Sequence, residues 1–572
     1  MGNVISNVSH PQFDLGGGVI GGIAPAFTIT ATTVSQDQID VAWSASAGQG
    51  IVIERAASIG GPFTAVYYAD DVTASVSLYS HQPATEYFFR ARRMLPDGTF
   101  SSYSATGSDT TTAAVNTYYV ATTGNDTTGD GSSGTPWKTI QRGVWDLTAG
   151  DVLNIAAGTY TEAAEWPASL GGGNPTKFDK PLGVVLVESG TATAPIIIQA
   201  TGAVILDQLD AATGFHFHDA VKPWPDYIHI KGIEHTKCTP ISLWSVDRPS
   251  GAYGDADSLL SRGVVLEGNN FHDNTFPTSG ANSSAVRMDS NKEWVVRNNV
   301  IDAVAWTLGG YDANGSGCLY AYNIHPSSVI EFNTMSDGYT AIHWKHTADN
   351  VPAGTLQSTI RYNRFTGFRN AVYMQQAGGT GNPGLHNINH NIYDNVFAPV
   401  SLYKEQQEAR VDFRNNWVNY NSFGTGTEAY GQGVSVSIST AGVLPKLLKV
   451  AGNIFTDTNN GTNIVGSETN PALYDLEEAD YNIFEGQPDV KLGVPAPAGT
   501  LAQWQAYTSP LMSESTPGAH SREGDSISTL ATNTALADYT IPVSSPALAF
   551  MADSSNAGPY QFGNSTVIGV IS

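Results

Sequence analysis

The segment Ile342-His343-Trp344-Lys345 alternates apolar and polar side chains, and the same pattern returns along the chain. The other segments are Phe215-His216-Phe217-His218, Ile241-Ser242-Leu243-Trp244, Val286-Arg287-Met288-Asp289, Leu319-Tyr320-Ala321-Tyr322, Val372-Tyr373-Met374-Gln375, Val400-Ser401-Leu402-Tyr403 and Val434-Ser435-Val436-Ser437. Because successive side chains of a strand point to opposite faces, the first and third residues of each segment face the interior and the second and fourth face outward. If the segments stack about 4.8 Å apart, they form one parallel sheet, and the sequence predicts which side chains lie on its outer face.

A second repeat consists of asparagine followed by a mostly apolar residue. Its members are Asn270, Asn299, Asn333, Asn363, Asn395, Asn416, Asn453 and Asn482. They recur about every 30 residues, which is the behaviour of a solenoid. Asparagines stacked at one corner of successive coils would satisfy the backbone groups of that turn, so the repeat predicts a structural ladder without requiring a function.

The solenoid is preceded by a distinctive opening, Tyr118-Tyr119-Val120-Ala121, followed by Gly124-Asn125-Asp126 and a short amphipathic helix from Pro136. A strand, Val152-Leu153-Asn154-Ile155, comes next. This stretch resembles the N-terminal cap and first coil of the pectate-lyase-like superfamily. The resemblance implies an all-β chain with a right-handed parallel β-helix over residues 117–490. Asp126 and Asp130 are interpreted as turn-forming residues, with calcium binding as the alternative.

Upstream of the solenoid, residues 26–112 contain short alternating strands separated by turn signals such as Gly60-Gly61-Pro62. Trp43 in the second strand and the Tyr-rich late strands resemble a fibronectin type III module. That resemblance implies a small β-sandwich that serves as a spacer or as a glycan- or partner-binding unit. Residues 1–25 are interpreted as a flexible Gly-rich leader, and residues 491–572 as a C-terminal closing segment that covers the open end of the coils.

Composition excludes several function classes. The chain has 572 residues with 27 Lys and Arg against 52 Asp and Glu, a net charge of −25. A nucleic-acid binder would carry a basic face, so we expect no nucleic-acid partner, and anionic membranes are disfavoured too. No apolar run of about 18 residues occurs, so membrane insertion is not expected. Two cysteines, Cys238 and Cys318, predict buried thiols rather than a bridge.

The predicted outer face is rich in side chains that bind sugars. Its central strands carry Arg287 and Asp289, Tyr320 and Tyr322, His343 and Lys345, and Tyr373 and Gln375, with Trp244 and Tyr403 on flanking strands. Aromatic rings stack on the C–H surfaces of sugars, while cations and amides bind polar and acidic groups. The face therefore favours a carbohydrate groove. The alternative is that loops cover the sheet and the tyrosines pack beneath them.

Glycoside hydrolysis is disfavoured by the spacing of carboxylates on this face. It needs two carboxyl groups about 5–9.5 Å apart. Asp289 is the one acid among the sixteen outward positions, and Glu405 lies four strands away, about 19 Å at the sheet spacing. The loop acids Asp312, Asp337 and Asp349 keep hydrolysis open as an alternative.

β-Elimination of a uronate-containing glycan needs groups that adjacent strands do supply. A cation, Lys345 or Arg287, neutralises the uronate carboxylate; a base, His343 or Lys345, removes the C5 proton; and Tyr373 or Tyr320 protonates the leaving oxygen. The predicted catalytic residues are therefore His343, Lys345, Tyr373 and Arg287. The predicted substrate-binding residues are Asp289, Tyr320, Tyr322, Gln375, Tyr403 and Trp244.

The lysine-bearing segment resembles that of the alginate lyase and chondroitinase B group, in which lysine on one coil and arginine on the next carry catalysis. The next segment here, Val372-Tyr373-Met374-Gln375, lacks the arginine, and the acids that hold calcium in that group are absent from the face. A different lyase family is therefore implied. We expect no metal or other cofactor, with calcium as the one alternative, and a zinc site at His216, His218, His229 or His235 has no matching spacing.

The sequence thus predicts a depolymerase of an acidic polysaccharide, with a glycoside hydrolase or a non-catalytic glycan-binding adhesin as alternatives. The start of the chain, Met1-Gly2-Asn3-Val4-Ile5-Ser6, lacks a secretory signal. Either a signal has been removed or the protein leaves the cell by another route, as a virion part would. An extracellular location is expected in both cases, in a secreted enzyme or a phage tailspike. By analogy with phage tailspikes, we also expect a homotrimer.

Overall fold

A computed structural model describes most of the chain between residues 27 and 485. The described ranges are 27–44, 50–70, 74–94, 100–162, 176–177, 180–217, 225–238, 243–245, 261–274, 284–289, 291–303, 317–322, 327–346, 356–376, 385–403, 410–419, 431–437, 446–451, 453–456, 462–467, 474–478, 482–485 and 522–525. The predicted leader lies outside these residues, as does the predicted closing segment apart from the strand Arg522–Asp525.

Two antiparallel sheets at the N-terminus form a small β-sandwich. One contains Ile29–Thr33, Ile39–Trp43 and Ser75–Leu78, and the other contains Thr64–Asp70, Gly50–Ala56, Glu86–Met94 and Gly107–Thr110. Alternate residues of Ile39–Trp43 are buried, as the period-two pattern predicts. Ile53 of the second sheet and Val41 of the first are both fully buried in the shared core.

The remaining strands wind into a right-handed parallel β-helix, which confirms the predicted fold class. Each full coil contributes one strand to each of three parallel sheets. The first sheet contains Val184–Leu186, Phe215–Phe217, Leu243–Ser245, Ser284–Asp289, Gly317–Tyr322, the second halves of Thr334–His346 and Arg364–Gln376, then Ala398–Tyr403, Gly431–Ser437 and Thr462–Ser467.

The second and third sheets complete the coils. The second contains Thr117–Val120, Val152–Ile155, the first halves of Ile196–Asp207 and Ile228–Thr236, then Val265–Glu267, Val295–Arg297, Ser328–Glu331, Leu356–Arg361, Leu385–Asn389, Arg410–Arg414, Lys446–Ala451 and Tyr474–Glu478. The third contains Gly158–Tyr160, the second halves of Ile196–Asp207 and Ile228–Thr236, Asn270–His272, Val300–Asp302, the first halves of Thr334–His346 and Arg364–Gln376, then Ile392–Asp394, Trp417–Asn419, Ile454–Thr456, Ile483–Glu485 and Arg522–Asp525. Two short pairs, Thr176–Lys177 with Lys180–Pro181 and Ser261–Arg262 with Asn291–Lys292, lie beside them.

A single-turn helix, α1 (Ile140–Trp145), closes the N-terminal end of the coils. The hydroxyl of Thr139 caps it by accepting a hydrogen bond from the amide of Arg142. The carboxylate of Glu162 accepts the amides of Ile140 and Gln141, each at 2.8 Å, so the first-turn donors are satisfied inside the protein. Within the described residues, no helix is long and apolar enough to cross a bilayer.

The predicted asparagine ladder occupies the corner between the second and third sheets. At each step the side-chain oxygen of one asparagine accepts the amide of the preceding one, as Asn363 accepts Asn333 at 3.0 Å. The Asn333 side-chain amide donates to the Val296 carbonyl at 2.9 Å. The ladder comprises Asn269, Asn299, Asn333, Asn363, Asn391, Asn416, Asn453 and Asn482, all buried.

Two members of the predicted ladder were wrong. Asn269, rather than Asn270, and Asn391, rather than Asn395, occupy the corner. The reason is conformational, because the six ladder residues from Asn269 to Asn416 each follow a residue with positive φ, such as Gly268 at 67°, and the motif of asparagine plus apolar residue does not report φ.

Replacing Asn269 by alanine is expected to lower the free energy of unfolding by about 3 kcal/mol. The substitution removes the partners of the Ile230 carbonyl and the Ile233 amide, and buried groups left without a hydrogen bond cost about 1–3 kcal/mol each. The matched control Asn270→Ala removes a half-buried strand residue and should cost less than about 0.5 kcal/mol. Urea titration of the full chain followed by fluorescence gives both values, and equal losses would contradict the ladder assignment.

The sandwich packs against the outer face of the second sheet through charged and aromatic contacts. Tyr67 and Tyr68 approach the ring of Phe332 with centroids 5.5 and 5.0 Å away. The Arg361 guanidinium donates to the Tyr67 hydroxyl at 2.6 Å. Asp37 is fully buried and pairs with Lys231 and His229 of the β-helix strand Ile228–Thr236. Although burial alone would raise the pKa of Asp37, these two partners hold it well below the usual range. The module is therefore joined to the coils by an interface of paired charges and aromatic contacts.

Candidate functional site

The outer face of the first sheet aligns five of the ten predicted site residues in one column. The residues in register on consecutive coils are His216, Trp244, Arg287, Tyr320, His343, Tyr373, Ser401 and Ser435. We call this set the inner column. Trp244 was predicted to neighbour His218, but it pairs with His216 and Arg287. The difference arises because Leu243, rather than Ile241, pairs with Phe215; a shift of two residues changes the neighbour but keeps the face.

The central members of the inner column touch one another directly. The Arg287 guanidinium lies 5.2 Å from the centre of the Tyr320 ring. The rings of Tyr320 and His343 are 4.9 Å apart, and those of His343 and Tyr373 are 5.0 Å apart, both in edge-to-face geometry. A cation, a phenol, an imidazole and a second phenol thus follow one another along about three coil spacings. Three of the predicted catalytic residues are in this series.

The central inner column is mostly shielded from solvent. Tyr320 is 2% exposed, His343 is 4% and Tyr373 is 8%. Arg287 is half-buried. For the aromatic part of the column, this burial is inconsistent with a wide-open groove. Because these groups are largely withdrawn from solvent, electrostatic interactions among them are stronger than they would be in water.

A second series lies two positions further along the same strands. Asp289 is in register with Tyr322, Tyr322 with Lys345, Lys345 with Gln375, and Gln375 with Tyr403. The sequence alignment of these five residues is confirmed at the level of the backbone. Their side chains lie outside the described parts of the chain, so their predicted roles stay predictions.

The described part of the inner column carries no carboxylate, and this bears on the reaction. Its side chains are those of His216, Arg287, Tyr320, His343, Tyr373 and Ser401. Of the loop acids considered for hydrolysis, Asp337 is exposed at the end of a third-sheet strand with φ of 54°, while Asp312 and Asp349 lie outside the described residues. The described groups can supply a base, proton donors and a cation, but they do not supply a carboxylate pair.

Sequence reasoning missed a neighbouring ridge made of Tyr339, Arg369 and Phe397. These residues precede the four-residue segments and lie at the corner between the third and first sheets. The Arg369 guanidinium carbon is 5.7 Å from both ring centres. The period-two motif begins after this corner, so it could not detect the ridge. Only the coil-to-coil register brings the three side chains together.

The acids considered for calcium are used by the protein itself. Asp126 accepts the amides of Lys138 and Thr139, at 2.7 and 3.0 Å, and Asp130 accepts the amide of Ser132 at 2.9 Å. This geometry fits the turn-forming interpretation. Within the described residues, no three His, Cys, Asp or Glu side chains group as metal ligands would.

The histidines considered for zinc are separated. His229 pairs with Asp37 on the outside of the second sheet. His235 points into the coil, where its ring stacks on Phe271 at 4.4 Å and burial lowers its pKa to about 3. His216 lies in the inner column, and His218 is outside the described residues. Both cysteines are free thiols and buried, as predicted.

Comparisons with known proteins give weak likenesses. A family model described as "Protein of unknown function (DUF1565)" matches residues 122–167, and no curated protein matches the chain. The chain is similar to pectate lyase Pel9A, with 15% identity, 78% of this chain and 97% of that one covered, and a TM-score of 0.40. It is similar to the Family 28 exopolygalacturonase of Yersinia enterocolitica (11%, 84% and 97% covered, TM-score 0.35). A Fn3-like protein from Clostridium thermocellum matches at 21% identity, with 15% of this chain and 91% of that one covered, at a TM-score of 0.14.

Proposed function

We propose that this protein depolymerises an acidic, uronate-containing polysaccharide by β-elimination on the outer face of the first sheet. The observation that carries the proposal is the direct contact series of Arg287, Tyr320, His343 and Tyr373. The series supplies every group that elimination requires. The absence of carboxylates from the described inner column favours elimination over hydrolysis.

Three members of this series have distinct roles in the proposed reaction. Arg287 neutralises the uronate carboxylate, which makes the proton on C5 more acidic. His343 accepts that proton through an imidazole nitrogen. The electrons of the C5–H bond form the C4–C5 double bond as the C4–O4 bond breaks, and the Tyr373 hydroxyl donates its proton to the leaving O4. Lys345, two residues after His343, is the second cation of the site.

The proposal extends to an extracellular depolymerase, secreted or carried on a phage tail. The extracellular location, the homotrimeric state and the absence of a metal requirement stay predictions. The sandwich contacts the coils directly, through the hydrogen bond of Arg361 with Tyr67 and the ion pair of Lys231 with Asp37.

Two assays run in parallel test the proposed reaction. The full chain is incubated with polygalacturonate, alginate, hyaluronan and bacterial capsules while ultraviolet absorbance and reducing ends are followed. Elimination creates an unsaturated uronate, so both signals should rise together. New reducing ends without a rise in absorbance would show that the reaction is hydrolysis rather than elimination. Glycan binding without either signal would identify an adhesin.

A further inference from the structure

The ridge of Tyr339, Arg369 and Phe397 borders the first sheet on three consecutive coils. All three side chains are half-buried, so they form part of the surface rather than of the core. The backbone pairs that immediately follow them are Thr340 with Asn370 and Asn370 with Ala398. The ridge therefore runs along the coil axis, parallel to the inner column.

The two rings hold the guanidinium of Arg369 in a defined place. Its central carbon is 5.7 Å from the ring of Tyr339 on one coil and 5.7 Å from the ring of Phe397 on the other. Such distances are within the range of cation–π attraction. A guanidinium restrained by flanking rings carries planar N–H donors that match a carboxylate in two parallel hydrogen bonds.

A buried hydrogen bond joins this ridge to the inner column. The Ser401 hydroxyl donates to the side-chain oxygen of Asn370 at 2.6 Å, and both residues are buried. Asn370 directly follows Arg369, and Ser401 is in register with Tyr373. Arg369 and Tyr373 are four residues apart on one strand, which corresponds to about 13 Å. The ridge is thus near the proposed reaction but too far away for Arg369 to take part in it.

We propose that Arg369 is a specificity-determining residue that binds a carboxylate on a sugar unit beyond the one that is cleaved. Tyr339 and Phe397 stack on the sugar rings at this subsite. The inference rests on the proposed function and deepens it, because it requires the substrate to carry carboxylates on more than the sugar unit that is cleaved. The net charge of −25 repels a polyanion at long range, so fixed cations along the binding path are needed to hold one.

The test measures binding rather than turnover. Affinity electrophoresis of the full chain is run at low temperature in gels containing polygalacturonate, alginate or hyaluronan, and then in the carboxyl-reduced form of the polymer that binds best. The variants are Arg369→Gln and Arg369→Lys. The matched control is Arg410→Gln, which removes a half-buried arginine from the second sheet. Thermal midpoints of all chains show whether folding is preserved.

We expect Arg369→Gln to weaken binding of the acidic polymer at least tenfold, Arg369→Lys to retain part of it, and Arg410→Gln to bind as the original chain does. On the carboxyl-reduced polymer the difference between Arg369→Gln and the original chain should vanish. The inference is overturned if Arg369→Gln binds as tightly as the control, if the loss persists on the reduced polymer, or if no acidic polymer binds. A different result would contradict the proposed function, namely a polymer that binds but yields neither ultraviolet absorbance nor new reducing ends.

Discussion

Replacing His343 by alanine is expected to lower the rate of depolymerisation by about 10²–10⁴-fold while binding of the polymer survives. A positioned general base contributes about this factor, and His343 is the imidazole that lies between the phenols of Tyr320 and Tyr373. Because the base acts only on the reacting C5–H bond, the loss should be in kcat rather than in KM. The measurement is the initial rate of absorbance increase across a range of polymer concentrations.

The matched control for this loss is His272→Ala. His272 lies on the outer face of the third sheet, where it contacts Glu234 at 3.0 Å, away from the inner column. It should leave kcat within about twofold of the original value, since surface changes distant from a site have small effects. Lys345→Ala, measured beside it, separates the two candidate bases. If neither His343→Ala nor Lys345→Ala slows degradation, the assignment of the site to the outer face of the first sheet is wrong.

Much of the fold follows from two sequence periods. Alternation along strands such as Ile342–Lys345 is fixed by side-chain direction, and the buried asparagines are fixed by the need to satisfy a turn on every coil. These constraints are local, so the first sheet and six of the eight ladder positions could be predicted. Asn391 was missed because its position depends on the positive φ of His390, which the sequence does not display.

The site itself was only partly predictable, for a physical reason. The order of Arg287, Tyr320, His343 and Tyr373 follows from register, but the burial of these side chains depends on tertiary contacts that no sequence period encodes. The Arg369 ridge was missed because the alternation breaks at a corner, where no period applies. The contacts between the sandwich and the second sheet were also beyond the sequence, since they join residues nearly 300 positions apart, as Tyr67 and Arg361 are.

The outer face of the second sheet carries an alternating charge series beneath the sandwich. Its members, in register on consecutive coils, are Lys231, Glu267, Arg297, Glu331 and Arg361. Glu331 is fully buried and pairs with Arg297 at 2.5 Å and with Arg361 at 2.9 Å. Burial alone would raise its pKa, but the two guanidinium groups lower the pKa below the ordinary value. The arginines also donate to the sandwich, at the Ser77 carbonyl and the Tyr67 hydroxyl.

Replacing Glu331 by glutamine is therefore expected to lower the free energy of unfolding by about 3–5 kcal/mol at pH 7. The substitution leaves the guanidinium groups of buried Arg297 and half-buried Arg361 without their shared counter-charge, and breaking a buried ion pair by removing one partner costs this much. The control is Glu267→Gln, the same change two strands earlier in the same series. Glu267 is half-buried and accepts a hydrogen bond from Ser80 at 2.6 Å, so its loss should cost less than about 1 kcal/mol.

The pH dependence of this difference provides a second readout. Since the folded-state pKa of Glu331 is lowered, its charge contributes stability that is complete above the unfolded value of about 4.3 and is lost as pH falls through the folded value. The gap between the original chain and Glu331→Gln should thus be constant near neutrality and shrink in acid, while the Glu267→Gln gap stays small throughout. A Glu331→Gln loss no larger than that of Glu267→Gln would mean that the charge series does not hold the sandwich on the coils. The aromatic contacts of Tyr67 and Tyr68 with Phe332 would then account for the interface.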